Sequence, residues 1–200
     1  MIICPGGGTG RRAGFKIQFW KQSVGSSPTL GTQICSGQVN MYKDKIKQQR
    51  YDQAYMKMAS EWARLSYCQR KQVGALIVKD NMIISDGYNG TPSGFENICE
   101  LKNGQTKWHV LHAEANAILK CAKHGQSCEG ADLYLTLSPC KECGKLIHQA
   151  GIARVIYYNT YKDLSGIKFL IKAGVKITHL TTETLYGRRK SSKAGKLGSK

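Results

Sequence analysis

The stretch Leu133-Tyr134-Leu135-Thr136-Leu137-Ser138-Pro139-Cys140-Lys141-Glu142-Cys143 decides the fold. Leu133, Leu135 and Leu137 alternate with more polar residues, which is the period of a strand. Pro139 then opens a helix, because proline is tolerated at the first helical position. A strand running straight into a helix is half of an α/β unit, and its other half lies downstream. Val155-Ile156-Tyr157 reads as the next strand. Leu164 to Ala173 reads as a helix closed by Gly174, and Val175 to Leu180 as a last strand.

Upstream, a helix is expected from about Leu111 to Lys123. Before it, Gly87-Tyr88-Asn89-Gly90-Thr91-Pro92-Ser93-Gly94 is a loop by composition. Val73 to Val78 and Met82 to Ile84 form a hairpin around the polar turn Lys79-Asp80-Asn81. Tyr51, Ala54, Tyr55, Met58, Ala59 and Trp62 recur at three- and four-residue steps, marking one face of an amphipathic helix. The order is therefore αββαβαβαβ. Five strands alternating with helices imply an α/β fold of three layers, a mixed sheet covered on both faces.

The chain has 200 residues, 41% of them hydrophobic, which suits one compact domain and excludes wholesale disorder. No run of about 18 apolar residues is present, so no membrane span is expected. The first 30 residues lack the apolar core of a signal peptide, and the expected location is the cytoplasm. Eight cysteines in such a chain point to thiols and metal ligation rather than to disulfides.

The net charge of +17 is uneven. Residues 1–40 carry four basic groups and residues 188–200 six, with no acid in either, which leaves +7 for residues 41–187. The ends therefore read as solvated basic segments, and nucleic acid is not the expected partner. Residues 1–40, rich in Gly, Ser and Thr, follow neither period and are expected to be an irregular extension. Gly6-Gly7-Gly8 lacks the Lys-Ser/Thr ending of a phosphate loop. The back-translation of Val24-Gly25-Ser26-Ser27-Pro28 resembles the T-arm of a transfer-RNA gene, which makes Met41 an alternative start that the intact mass would decide. Residues 41–187 form the expected domain and 188–200 a disordered tail.

Three residues can make a zinc site: His112, Cys140 and Cys143. Cys-x-x-Cys at a helix start presents two thiolates to one metal, and the free N–H groups there favour the anionic form. His112 also lies near a helix start, and two parallel crossovers would bring both helix ends to one sheet edge. Three protein ligands leave a tetrahedral position for water, the pattern of catalytic rather than structural zinc. Glu114 lies two residues after His112, about 200° around a helix. At a first turn both still reach a metal near the helix end, where a carboxylate can take a proton from water and deliver it to a leaving group.

His112-Ala113-Glu114 with Pro139-Cys140-Lys141-Glu142-Cys143 is the His-x-Glu … Pro-Cys-x-x-Cys signature of zinc nucleobase deaminases. Within them, the Gly87–Gly94 loop, His112-Ala113-Glu114-Ala115-Asn116-Ala117-Ile118, Arg70-Lys71-Gln72-Val73-Gly74-Ala75 and Gln149-Ala150-Gly151-Ile152 resemble the deoxycytidylate deaminase branch. The resemblance covers about Tyr51 to Leu180. It implies a three-layer cytidine-deaminase-like fold with a central five-stranded mixed sheet, and hydrolysis of dCMP to dUMP and ammonia, feeding thymidylate synthesis. It also implies that Glu114 shuttles protons to ring nitrogen 3 and to the departing ammonia. Asn89 would hold the sugar and base side, the backbone around Ala113 and Ser138 the pyrimidine edge, and Tyr157 or Tyr158 the phosphate end.

Relatives also bind a second, structural zinc; here Cys68 and Cys99 are either its ligands, with His109 the nearest extra histidine, or two buried thiols. Some relatives are hexamers activated by dCTP and inhibited by dTTP, so the resemblance carries a homo-oligomer and both effectors as expectations. Two other readings stand beside this one. A deaminase of another base, such as tRNA adenosine, guanine or a riboflavin precursor, would use the basic tail to hold RNA. A non-catalytic zinc-stabilised nucleic-acid binder would leave Glu114 without a role.

Overall fold

The computed structural model describes residues 36–186, with side chains from residue 41 onward. Helix α1 spans Ser36–Ala63 and is followed by the hairpin β1 (Gly74–Lys79) and β2 (Met82–Tyr88). Then come α2 (Ala113–Lys123), β3 (Asp132–Leu137), α3 (Lys141–Gln149), β4 (Arg154–Asn159), α4 (Ser165–Lys172), β5 (Lys176–His179) and a short α5 (Thr182–Tyr186). The expected order holds, with α5 added at the end. Residues 36–40, expected to belong to an irregular extension, are helical. A helix already nucleated extends cheaply through residues 36–40, none of which is proline. Residues 1–35 and the tail 188–200 lie outside the described residues.

The strand order is β2-β1-β3-β4-β5. β1 pairs antiparallel with both β2 and β3, whereas β3–β4 and β4–β5 are parallel. Two strands that each oppose β1 run the same way. β2 and β3 therefore end on one edge of the sheet, where α2 and α3 begin. The hairpin turn has both Asp80 (φ 51°) and Asn81 (φ 61°) left-handed, the geometry that matches strand twist in a two-residue loop.

α1 and α5 cover one face, where Met56, Leu76, Tyr134 and Ile156 are fully buried. α2, α3 and α4 cover the other, over Ile77, Leu133, Leu135 and Val155. β3 is consequently buried at Tyr134 and Thr136 as well as at its leucines. The buried face of α1 is rotated from the expected one. Asp52, Met56, Ala59 and Ala63 point inward, while Ala54 and Met58 are exposed. The cause is an ion pair: the Asp52 carboxylate is drawn in by Arg154 and the Tyr134 hydroxyl.

Gly87 sets how closely α2 approaches the sheet. A Cβ there would overlap the Ala113 carbonyl oxygen, so only glycine lets the first turn of α2 sit on β2.

Candidate active site and metal centre

Both helices that meet at the sheet edge are capped by a metal-binding residue type. His112 is the N-cap of α2, with extended backbone (φ −76°, ψ 155°). Cys140 is the N-cap of α3 (φ −73°, ψ 172°), and its sulfur accepts from the Cys143 N–H at 3.5 Å. Pro139 therefore precedes the cap instead of occupying the first helical position, because Cys140 must be extended to turn its sulfur onto the helix end. Likewise, Leu111 stays outside α2. It pairs with Gly90 through two backbone hydrogen bonds (3.1 and 2.9 Å), which close the base of the 91–110 loop and return the chain to the sheet edge at His112.

The His112 Nδ1 lies 3.2 Å from Cys143 Sγ and 3.6 Å from Cys140 Sγ. All three donors fall within 4.8 Å of one another. Tetrahedral zinc, with Zn–S about 2.3 Å and Zn–N about 2.0 Å, spaces its donors about 3.5–3.8 Å apart. The donor set and spacing thus fit zinc. The Cys143 thiol and His112 hold the Cys140 thiol down to about 3. The Cys140 thiolate, followed by burial, pushes the Cys143 thiol up. Hydrogen bonding to Cys140 raises His112 against the opposing effect of burial.

Glu114 sits in the first turn of α2 and is 4% exposed. Burial pushes its carboxyl up, partly opposed by its own backbone N–H and by His112. The rotation from His112 to Glu114 sends the carboxylate inward while the imidazole stays exposed. Both nevertheless line one cleft of about 300 Å³.

Ala113, Asn89 and Ser138, the expected substrate contacts, line the same cleft. The Asn89 amide is already engaged: its Oδ1 accepts from Val73 N (2.7 Å) and its Nδ2 donates to Lys71 O (2.8 Å). One amide proton and one lone pair remain for a ligand. Ser138 donates its N–H to Asn159 O, and its Oγ accepts from the Tyr161 N–H, both at 2.8 Å.

The expected tyrosines are not in the cleft. Tyr157 is buried and stacks on His179, with ring centroids 4.6 Å apart, and the Tyr158 hydroxyl meets Thr182 Oγ1 at 3.1 Å. Tyr161 lines the cleft instead, beside Lys162, Arg70 and Lys71, none of which the sequence reading had given a role. A signal was available, since ligands in α/β sheets bind beyond the carboxyl ends of parallel strands and Tyr161 follows the end of β4.

Cys68 and Cys99 do come together, buried with Val110. Burial, then the Cys68 thiol, pushes the Cys99 thiol up to about 12. The His109 ring packs with Phe95 and Trp108. Among the described residues, the group of three or more donors able to hold a metal is His112, Cys140 and Cys143.

A three-donor metal site with a buried carboxylate, set at the edge of an α/β/α sheet, defines a metal-assisted hydrolase. Residues 49–159 match the cytidine and deoxycytidylate deaminase zinc-binding region, and the chain belongs to that family. It is 32% identical over 163 residues to the deoxycytidylate deaminase of Enterobacteria phage T4, covering 60% of this chain and 84% of that one. It is 40% identical over 139 residues to ComE operon protein 2 of Bacillus subtilis, covering 68% and 74% respectively. The solved dCMP deaminase of cyanophage S-TIM5, in complex with dCMP and dUMP, superposes with a TM-score of 0.63 at 45% identity, over 68% of this chain and 97% of that one.

Proposed function

We propose that this protein is a zinc-dependent deaminase that hydrolyses dCMP to dUMP and ammonia. The observation that carries the reading is the position of Glu114, a buried carboxylate beside three metal donors in a cleft that Arg70, Lys71 and Lys162 also line. Relatives named deoxycytidylate deaminase and the dCMP- and dUMP-bound neighbour support the substrate.

His112, Cys140 and Cys143 would hold zinc, which when bound would supply an activated water as nucleophile. Glu114 accepts that water's proton and delivers it to ring nitrogen 3 as the C4–O bond forms. It then takes the remaining proton from the C4 hydroxyl and passes it to the amino group, so the C4–N bond breaks, the C4 carbonyl forms and ammonia leaves. Burial suits this exchange, because pushing the carboxyl's pKa up makes the carboxylate a better proton acceptor. Asn89 offers its remaining amide proton and lone pair to the sugar. Ser138 offers a hydroxyl proton and its carbonyl to the pyrimidine edge, beside the Ala113 backbone. Arg70, Lys71 and Lys162 supply positive charge for the 5′-phosphate, and Tyr161 forms a wall beside them.

We extend the reading to a homo-oligomer, supported by the apolar surface on the 91–110 loop, where Phe95, Ile98, Leu101 and Trp108 are exposed; dCTP and dTTP as effectors rest on the family resemblance alone. Thiolate ligands and free cysteines suit a reducing compartment, so we place the reaction in the cytoplasm.

Ammonia release by the zinc form on dCMP, CMP, deoxycytidine and dCTP tests the function. Turnover confined to dCMP is expected. No release from any of them, with zinc bound and the fold intact, would overturn it.

A further inference from the structure

The loop joining β2 to α2 contains a small hairpin with no role in the site so far. Glu100 and Thr106 face each other across it, and Leu101 N–H to Gln105 O and Lys107 N–H to Cys99 O, each 2.8 Å, hold it shut. One carboxylate oxygen of Glu100 accepts from two consecutive backbone N–H groups, Gln69 at 3.0 Å and Arg70 at 3.2 Å. Arg70 Nη1 in turn donates to Thr106 Oγ1 at 3.3 Å. The hairpin thus holds Arg70 by its backbone and by its guanidinium, and the next residue, Lys71, is held from the far side by Asn89. Arg70, Lys71, Glu100 and Thr106 all line the cleft.

We infer that Glu100 is a positioning residue that sets where Arg70 and Lys71 meet the substrate phosphate. A free carboxylate here would repel a phosphate. Engaged by two N–H dipoles, Glu100 fixes the backbone carrying the two cations, as an anion does in a nest of successive amides. The inference rests on the dCMP reading. It adds that selection of a nucleotide over a nucleoside depends on a side chain that is neither a metal donor nor the proton carrier.

The test uses full-length, zinc-loaded protein with Glu100→Ala, Glu100→Gln and Thr106→Val. Glu100→Ala should raise KM for dCMP about fivefold or more, with kcat within about twofold. The inhibition constant of dUMP should rise in parallel, while that of deoxyuridine stays within about twofold, since the nucleoside lacks the phosphate. Glu100→Gln keeps the accepting oxygen and should stay near wild type. Thr106→Val should give a smaller rise, again for nucleotides alone. Amides of Gln69 and Arg70 should exchange faster in Glu100→Ala.

Equal weakening of dUMP and deoxyuridine would overturn the inference, as would tighter dCMP binding in both Glu100 variants, which would mean the side chain acts only as a negative charge. Should Glu100→Ala fail to fold, Thr106→Val decides, and the absence of a nucleotide-selective change there overturns it. Wild-type protein that binds dUMP no better than deoxyuridine would instead refute the dCMP reading itself, before any variant is compared.

Discussion

Arg154 donates from both terminal nitrogens to the Asp52 carboxylate, at 2.8 Å each, tying α1 to β4 across the sheet. The guanidinium also holds Asp132 (2.7 and 3.1 Å), and the Tyr134 hydroxyl donates to Asp52 at 2.8 Å. Burial pushes the Asp52 carboxyl up, but bonds from Arg154, Gln48 and Tyr134 outweigh it and hold it below the usual range. Asp52→Ala should cost about 3 kcal/mol, near the low end for breaking a buried pair, because Asp132 still faces Arg154. A depressed carboxyl stabilises the fold above pH ~4 and stops doing so as pH falls through its lower folded value. Urea midpoints at pH 7, 4 and 3 should therefore drop less steeply in Asp52→Ala than in wild type. Parallel curves would show that the pair does not contribute.

This network also marks the limit of what the sequence discloses. The order of strands and helices was legible because each element carries its own local period. The grouping of His112, Cys140 and Cys143 was legible because metal chemistry restricts the residue types and each donor caps the start of a helix. The inward turn of Asp52 was not, since counting apolar residues places an aspartate in water and its partner is 102 residues away. Arg70 and Lys71 were missed as cleft residues for the same reason: only the folded sheet edge brings them to the site.

Glu114→Gln separates catalysis from stability. The amide has the same shape but cannot exchange protons, so kcat should fall by about a hundredfold or more. Removing a buried charge carries no penalty of its own, so the melting temperature should hold or rise. Zinc content should stay at the wild-type level. A variant that keeps its activity would exclude Glu114 as the proton carrier.

Cys140→Ser isolates the metal from the helix cap. Serine caps helices well, so α3 should still begin at Lys141, while the hydroxyl replaces a thiolate ligand. Bound zinc, read by elemental analysis after dialysis, should fall well below wild type, and activity with it. Metal binding adds to folding free energy, so the melting temperature should drop toward that of chelator-treated wild type. Full zinc retention in this variant would argue against Cys140 as a ligand.

Tyr161 and Tyr158 offer the sharpest contrast at the substrate end. Tyr161 is pinned by Ser138 Oγ, and Lys71 Nζ lies 5.5 Å from its ring centroid. Tyr161→Ala removes that wall and a cation–π contact worth about 0.5–1 kcal/mol at an exposed site. KM for dCMP should rise about fivefold with a smaller change in kcat. Tyr158→Phe removes only the hydroxyl contact with Thr182 at the start of α5. Its steady-state constants should match wild type, with a stability loss of about 1 kcal/mol or less. The opposite pattern, a damaged Tyr158→Phe and an unaffected Tyr161→Ala, would return the substrate contact to the end of β4 itself.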